Sequence, residues 1–124
     1  MAIPKPKQRE RKGINVPPEV PNIFVAAEND DVKALDRALE YYDVNERDES
    51  GMTPLHYAAS TLSRRTIKRL LDHPKIDATL ADKFGRSAAT VAFESWRELS
   101  DDIVNELNPH CYPWLYENSG NSPE

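Results

Sequence analysis

The sequence predicts an all-α fold made by stacking similar helix-turn-helix units side by side. Three features of the chain point there. Apolar residues fall in short paired stripes at helical spacing. The pairs return every 32–34 residues, with Ile23 and Leu55 at matching positions, and Gly51 and Gly85 again at matching positions. Two Asp-x-x-Gly turns, Asp48-Glu49-Ser50-Gly51 and Asp82-Lys83-Phe84-Gly85, stand just ahead of the second and third pairs.

The first pair opens with Ile23-Phe24-Val25-Ala26-Ala27. Asn29, Asp30 and Asp31 then interrupt the apolar run and supply side-chain oxygens that can cap a new helix. That helix carries Val32, Leu35, Ala38 and Leu39 as one apolar stripe. In the second pair Thr53 is the expected N-cap, and Pro54 fits the first helical position, where its missing N–H costs nothing. Leu55 to Ala59 complete a short helix, and a polar turn at Ser60 to Arg64 leads to a second stripe of Ile67, Leu70 and Leu71. His73-Pro74 closes it, since proline cannot continue a helix. In the third pair Ser87 is the expected cap of a helix through Ala88, Ala89, Val91 and Ala92. Trp96, Leu99, Ile103 and Leu107 are read as its second stripe, with a helix restart at Ser100-Asp101-Asp102. In each Asp-x-x-Gly turn the carboxylate can accept hydrogen bonds from the backbone just ahead, and glycine can take a positive φ.

Prolines collect at both ends, with Pro4, Pro6, Pro17, Pro18 and Pro21 near the start and Pro109, Pro113 and Pro123 near the finish. The folded part is therefore expected between about residue 20 and residue 108, as units of about 20–46, 47–80 and 81–108. Residues 1–19 read as a basic, Pro-rich, disordered arm, and 109–124 as an aromatic C-terminal cap or tail with a disordered end. Lys5, Lys7, Arg9, Arg11 and Lys12 against Glu10 give residues 1–13 a net charge of +4, so the rest carries −9 of the −5 total. An acidic body does not suit a nucleic-acid-binding face. The single cysteine, Cys111, rules out an intrachain disulfide and fits a reducing compartment. No apolar run is long enough to cross a membrane, and no apolar stretch follows the N-terminal charges as in a secretory signal. The expected location is the cytoplasm, whether as a resident protein or as a translocated effector.

Asp48-Glu49-Ser50-Gly51-Met52-Thr53-Pro54-Leu55-His56-Tyr57-Ala58-Ala59 resembles the signature of the ankyrin repeat. The flanking copies are degenerate. The third has Ser-Ala-Ala-Thr in place of Thr-Pro-Leu-His, and Leu62 stands where the family has glycine in the inter-helix turn. Extra residues gather around Glu98. The resemblance implies an ankyrin-repeat solenoid of antiparallel helix pairs with outward hairpin-like loops. No such unit can bury its stripe alone, and three make a practical minimum. It also implies a non-catalytic module that binds another protein as adaptor, effector or inhibitor, and a structural role for His56 in tying neighbouring loops together.

The residues offer little for catalysis or cofactors. His110-Cys111 falls short of the four ligands of a structural zinc site. Four glycines form no phosphate-binding loop, so no cofactor and no metal are expected. The resemblance places a partner on the concave side, against loop tips and first helices. Carried onto this chain, that face is Arg47, Glu49, Ser50, Met52, Tyr57, Ser60 and Thr61, then Lys83, Phe84, Arg86, Glu94 and Ser95. Phe84 and Met52 stand out as apolar residues at loop positions, ringed by charge as at an interface hot spot. The alternative for Phe84 is folding back onto the neighbouring repeat. Trp114 and Tyr116 form a secondary candidate, because such aromatics also anchor interfaces. The expected assembly is a monomer with an unidentified protein partner. Nucleic-acid or acidic-surface association through the basic arm is the alternative function.

Overall fold

A computed structural model describes residues 16–116. The five arm cations lie outside them, as does the tail beyond Tyr116. The described residues include the helices α1 (Ile23–Glu28), α2 (Val32–Ala38), α3 (Pro54–Ser60), α4 (Arg64–Leu71), α5 (Ala88–Trp96) and α6 (Asp101–Cys111). A 3-10 helix, Arg97–Ser100, joins the last two. The described residues contain no strand. Helices α1, α3 and α5 pack against one another in chain order, and each also packs on the second helix of its own pair.

Local chemistry starts these helices. Asn22 Oδ1 accepts from the N–H of Phe24 at 2.8 Å, Asp31 Oδ1 from Ala34 at 3.0 Å, and Ser87 Oγ from Thr90 at 3.2 Å. Thr53 and His56 form a reciprocal cap. The His56 N–H donates to Thr53 Oγ1 at 3.3 Å, and the Thr53 N–H donates to His56 Nδ1 at 3.2 Å. The core runs unbroken through all three pairs. Ile23, Leu35, Leu55, Ile67, Leu70, Ile103 and Leu107 are its large buried members. Between the first helices stand Ala26, Ala27, Ala58, Ala59 and Ala92, small enough for the backbones to approach closely.

The inter-helix turn needs a positive φ in every pair, and no glycine provides it. Asp30 (φ 59°), Leu62 (φ 52°) and Arg97 (φ 50°) do so instead. Asp30 is held by its own carboxylate, which accepts from the Thr66 N–H at 2.9 Å. Leu62 is held by packing its half-buried side chain on the core. Arg97, at ψ −126°, sits in a region that favours glycine, with its side chain exposed.

The third pair departs from the periodicity in one respect. Trp96 and Leu99 do not belong to the second stripe, which is Ile103, Leu107 and Cys111 on α6. Helix α5 is two residues longer than α3, and the 3-10 helix that follows leaves Leu99 in solvent. Helix α6 also runs past residue 108, through Pro109 to Cys111. Pro109 is tolerated because it is exposed, so the hydrogen bond it forgoes lies on the water side.

Candidate functional site

The two Asp-x-x-Gly turns are near copies. Asp48 Oδ1 accepts from the N–H groups of Ser50 at 2.9 Å and Met52 at 3.0 Å. Asp82 Oδ1 accepts from Phe84 and Arg86, both at 2.9 Å. Gly51 (φ +79°) and Gly85 (φ +80°) complete the turns. Gly51 is doubly required, because a Cβ there would meet the Lys83 backbone nitrogen at 3.0 Å. That close approach lets the Lys83 N–H donate to the Ser50 carbonyl at 2.9 Å, joining one loop to the next.

His56 makes the second join. It is buried, and its Nε2–H donates to the Arg86 carbonyl at 2.9 Å while Nδ1 accepts from Thr53. Burial depresses its pKa below the ordinary 6.5 and keeps the ring neutral, as this arrangement needs. With both nitrogens engaged inside the stack, His56 is a structural residue.

Arg47 and Asn45 add further joins. Arg47 Nη2 donates to the Ala81 carbonyl at 2.7 Å. The Asn45 amide donates to the Lys75 carbonyl and accepts from the Asp77 N–H, both at 2.9 Å. Arg86 pairs with Asp82 at 2.9 Å and with Glu94 at 3.1 Å. Although burial opposes it, hydrogen bonds from the Arg86 backbone and guanidinium, and from the Phe84 N–H, hold the Asp82 carboxyl below its ordinary pKa. Arg47, Arg86, Asp82 and Glu94 thus build the loops as well as line them.

The sequence-derived face divides accordingly. Phe84 is 71% exposed at its loop tip and does not fold back on the neighbouring repeat. The Lys83 ammonium lies 5.9 Å and the Arg86 guanidinium 5.4 Å from its ring centre. Glu49, Lys83, Glu94 and Ser95 are also exposed, whereas Met52 is half-buried. Tyr57 is half-buried too, its ring 4.9 Å from Phe24 and its hydroxyl bonded to Asp48. Ser60 Oγ donates to the Tyr57 carbonyl at 2.8 Å, and Thr61 Oγ1 donates to the Glu28 carbonyl at 3.0 Å. Met52, Tyr57 and Ser60 are therefore less open to solvent than their positions suggest, while Thr61 is exposed.

Four exposed apolar residues escaped the sequence reading of the face: Val25, Phe93, Trp96 and Leu99. Trp96 reaches from the end of α5 to donate its indole N–H to the Ser60 carbonyl at 2.8 Å. Its signal in the sequence was the broken period around Glu98. At the C-terminal end Tyr112 packs down, its hydroxyl 2.6 Å from Ser87 Oγ and its ring edge-on to Trp114 at 5.9 Å. Cys111 is buried, and burial pushes its thiol pKa up. Trp114, Leu115 and Tyr116 are exposed on a final helical turn.

No helix among the described residues is long and apolar enough to cross a membrane. No group of three or more His, Cys, Asp or Glu among them is placed to hold a metal ion. A search of curated proteins finds no match to the chain. The family model described as ankyrin repeats matches residues 23–113 in three copies, over the same helix pairs and loop turns. The chain belongs to the ankyrin-repeat family, whose repeats are a non-catalytic fold for binding other proteins.

Proposed function

We propose that the chain binds a partner protein on the face formed by its loop tips and first helices, and acts by occupying that partner's surface as adaptor, effector or inhibitor. The observation that carries this reading is Phe84. A phenylalanine 71% exposed on a hydrogen-bonded loop adds nothing to the core. Its rigid placement between Lys83 and Arg86 matches an interface anchor with a polar rim. Because the loop is already built by Asp82 and Gly85, little ordering is left to oppose binding.

A pull-down from lysate tests it, using the wild-type chain and a Phe84→Ala/Met52→Ala variant after circular dichroism shows that both fold. A protein captured at least tenfold more weakly by the variant supports the reading and identifies the partner. Equal capture by both moves the site to another surface. The second reading, association through Lys5, Lys7, Arg9, Arg11 and Lys12, rests on the +4 charge of that arm. Recovery of nucleic acid alone, lost steeply as salt rises, would favour it instead.

A further inference from the structure

The loop tips and the far end of α5 are separate places. Helix α5 spans nine residues, about 13 Å. Phe84 precedes its start, and Phe93, Trp96 and Leu99 gather at its end. These three are 45%, 40% and 69% exposed within seven residues of chain. Here the third repeat carries its inserted turn, with Arg97 in a backbone conformation that favours glycine. Backbone strain beside exposed apolar side chains serves no core. The Arg97 guanidinium lies over the Phe93 ring at 5.3 Å, and the Trp96 indole is fixed to Ser60, so the ledge is held in place before any ligand arrives.

The charge around the ledge is mostly negative. From Glu94 to Glu106 there are five carboxylates and one cation. Glu94 is paired with Arg86 and Asp102 with Arg64. Among the described residues Glu98, Asp101 and Glu106 make no ion pair. Two of these flank Leu99 directly or within two residues. We propose that this ledge binds a partner segment that combines apolar side chains with Lys or Arg. The apolar groups would cover Phe93, Trp96 and Leu99, and the cations would meet Glu98 and Asp101. The proposal rests on the protein-binding reading above and gives it a second, chemically defined contact.

Two pools of synthetic 12-residue peptides with matched hydrophobicity test it, one carrying Lys and Arg and the other Asp and Glu. Each is titrated into the isotopically labelled full chain while amide and indole N–H signals are followed. The basic pool is expected to shift the Trp96 indole and the amides of residues 93–102. Its apparent affinity should weaken several-fold between 50 and 500 mM salt, because the carboxylates are exposed. Phe93→Glu/Leu99→Glu should reduce it at least tenfold with circular dichroism unchanged, and Lys33→Ala, exposed on the first repeat, should leave it intact.

Preference for the acidic pool, or no shift with either, overturns the proposal. Shifts confined to residues 48–52 and 82–86 overturn it while leaving the protein-binding reading standing. A Trp96 shift that follows chain concentration in the absence of peptide would assign the ledge to a second copy. A response that appears only after the five arm cations are neutralised would assign it to the chain's own N-terminal segment. Either result also overturns the proposal.

Discussion

The seam between the first and second repeats and the seam between the second and third are closed at different ends. The first is stitched at the inter-helix turn. Thr66 Oγ1 donates to the Ala27 carbonyl at 2.7 Å, and Ser63 Oγ donates to the Glu28 carbonyl at 2.8 Å. Asp30 of the first repeat caps α4 of the second through the Thr66 N–H, since Ser63 makes no side-chain cap. The second seam is stitched mainly at the loop tips, by His56, Arg47, Asn45 and the Lys83–Ser50 backbone bond. At its turn end the matching carbonyl, that of Ser60, is met by the Trp96 indole. The requirement is the same at both seams, because carbonyls at a helix end have no partner within the helix and must find donors. The donor differs: a hydroxyl where the helices are short, an indole where an insertion leaves a gap to cover.

Five changes would break or sharpen this contrast. The largest effect is expected from Leu70→Ala, which opens a cavity in the fully buried stripe behind both seams and should cost about 2–5 kcal/mol by urea denaturation. His56→Ala removes the loop-tip join and a reciprocal cap together, for about 2–3 kcal/mol. Its mark is loss of amide exchange protection over residues 82–96 with α1 and α2 spared. Thr66→Val keeps the buried shape but deletes the bond to Ala27, for about 1 kcal/mol. Protection should fall in α1 and hold in α5, and a uniform loss in either variant would show the stack unfolding as a single unit.

The fourth change is pH. The folded pKa of His56 lies below the unfolded 6.5, so the unfolded chain binds the extra proton first. Stability from this site is full above pH 6.5 and is lost as pH falls through the lowered folded value. The urea midpoint should drop between pH 7.5 and 5.5, and His56→Gln should flatten that drop. Asp82 acts in the same direction at lower pH, where its carboxylate protonates. The smallest effect is a gain. Arg97→Gly relieves the positive φ and should raise stability by about 0.5–1 kcal/mol. A loss would mean that the Arg97 contact with Phe93 outweighs the strain.

The second repeat was legible almost whole. Thr53, Pro54, His56 and Gly51 each act as their sequence positions suggest. The first repeat was legible as helices, with Asp31 as the cap of α2. The turn of the third repeat was not. Trp96 and Leu99 fit an apolar stripe by spacing alone, yet neither is buried. On the candidate face the loop pattern leaves Phe84 either exposed or folded back on the neighbouring repeat, and it is exposed, while nothing in the spacing marks Phe93 as exposed.

By itself the sequence determined the period, the helix starts and the two glycine turns. These depend on side chains acting on their own backbone within about four residues, which adjacent letters record. Only the tertiary structure decided which repeat supplies a donor to which carbonyl, as with Thr66 to Ala27 and Trp96 to Ser60. It also decided which apolar residues stay in water. A helix at 3.6 residues per turn shows where a stripe can lie, but burial depends on whether a neighbouring element stands opposite. Beyond α5 the inserted turn carries Leu99 clear of any such neighbour.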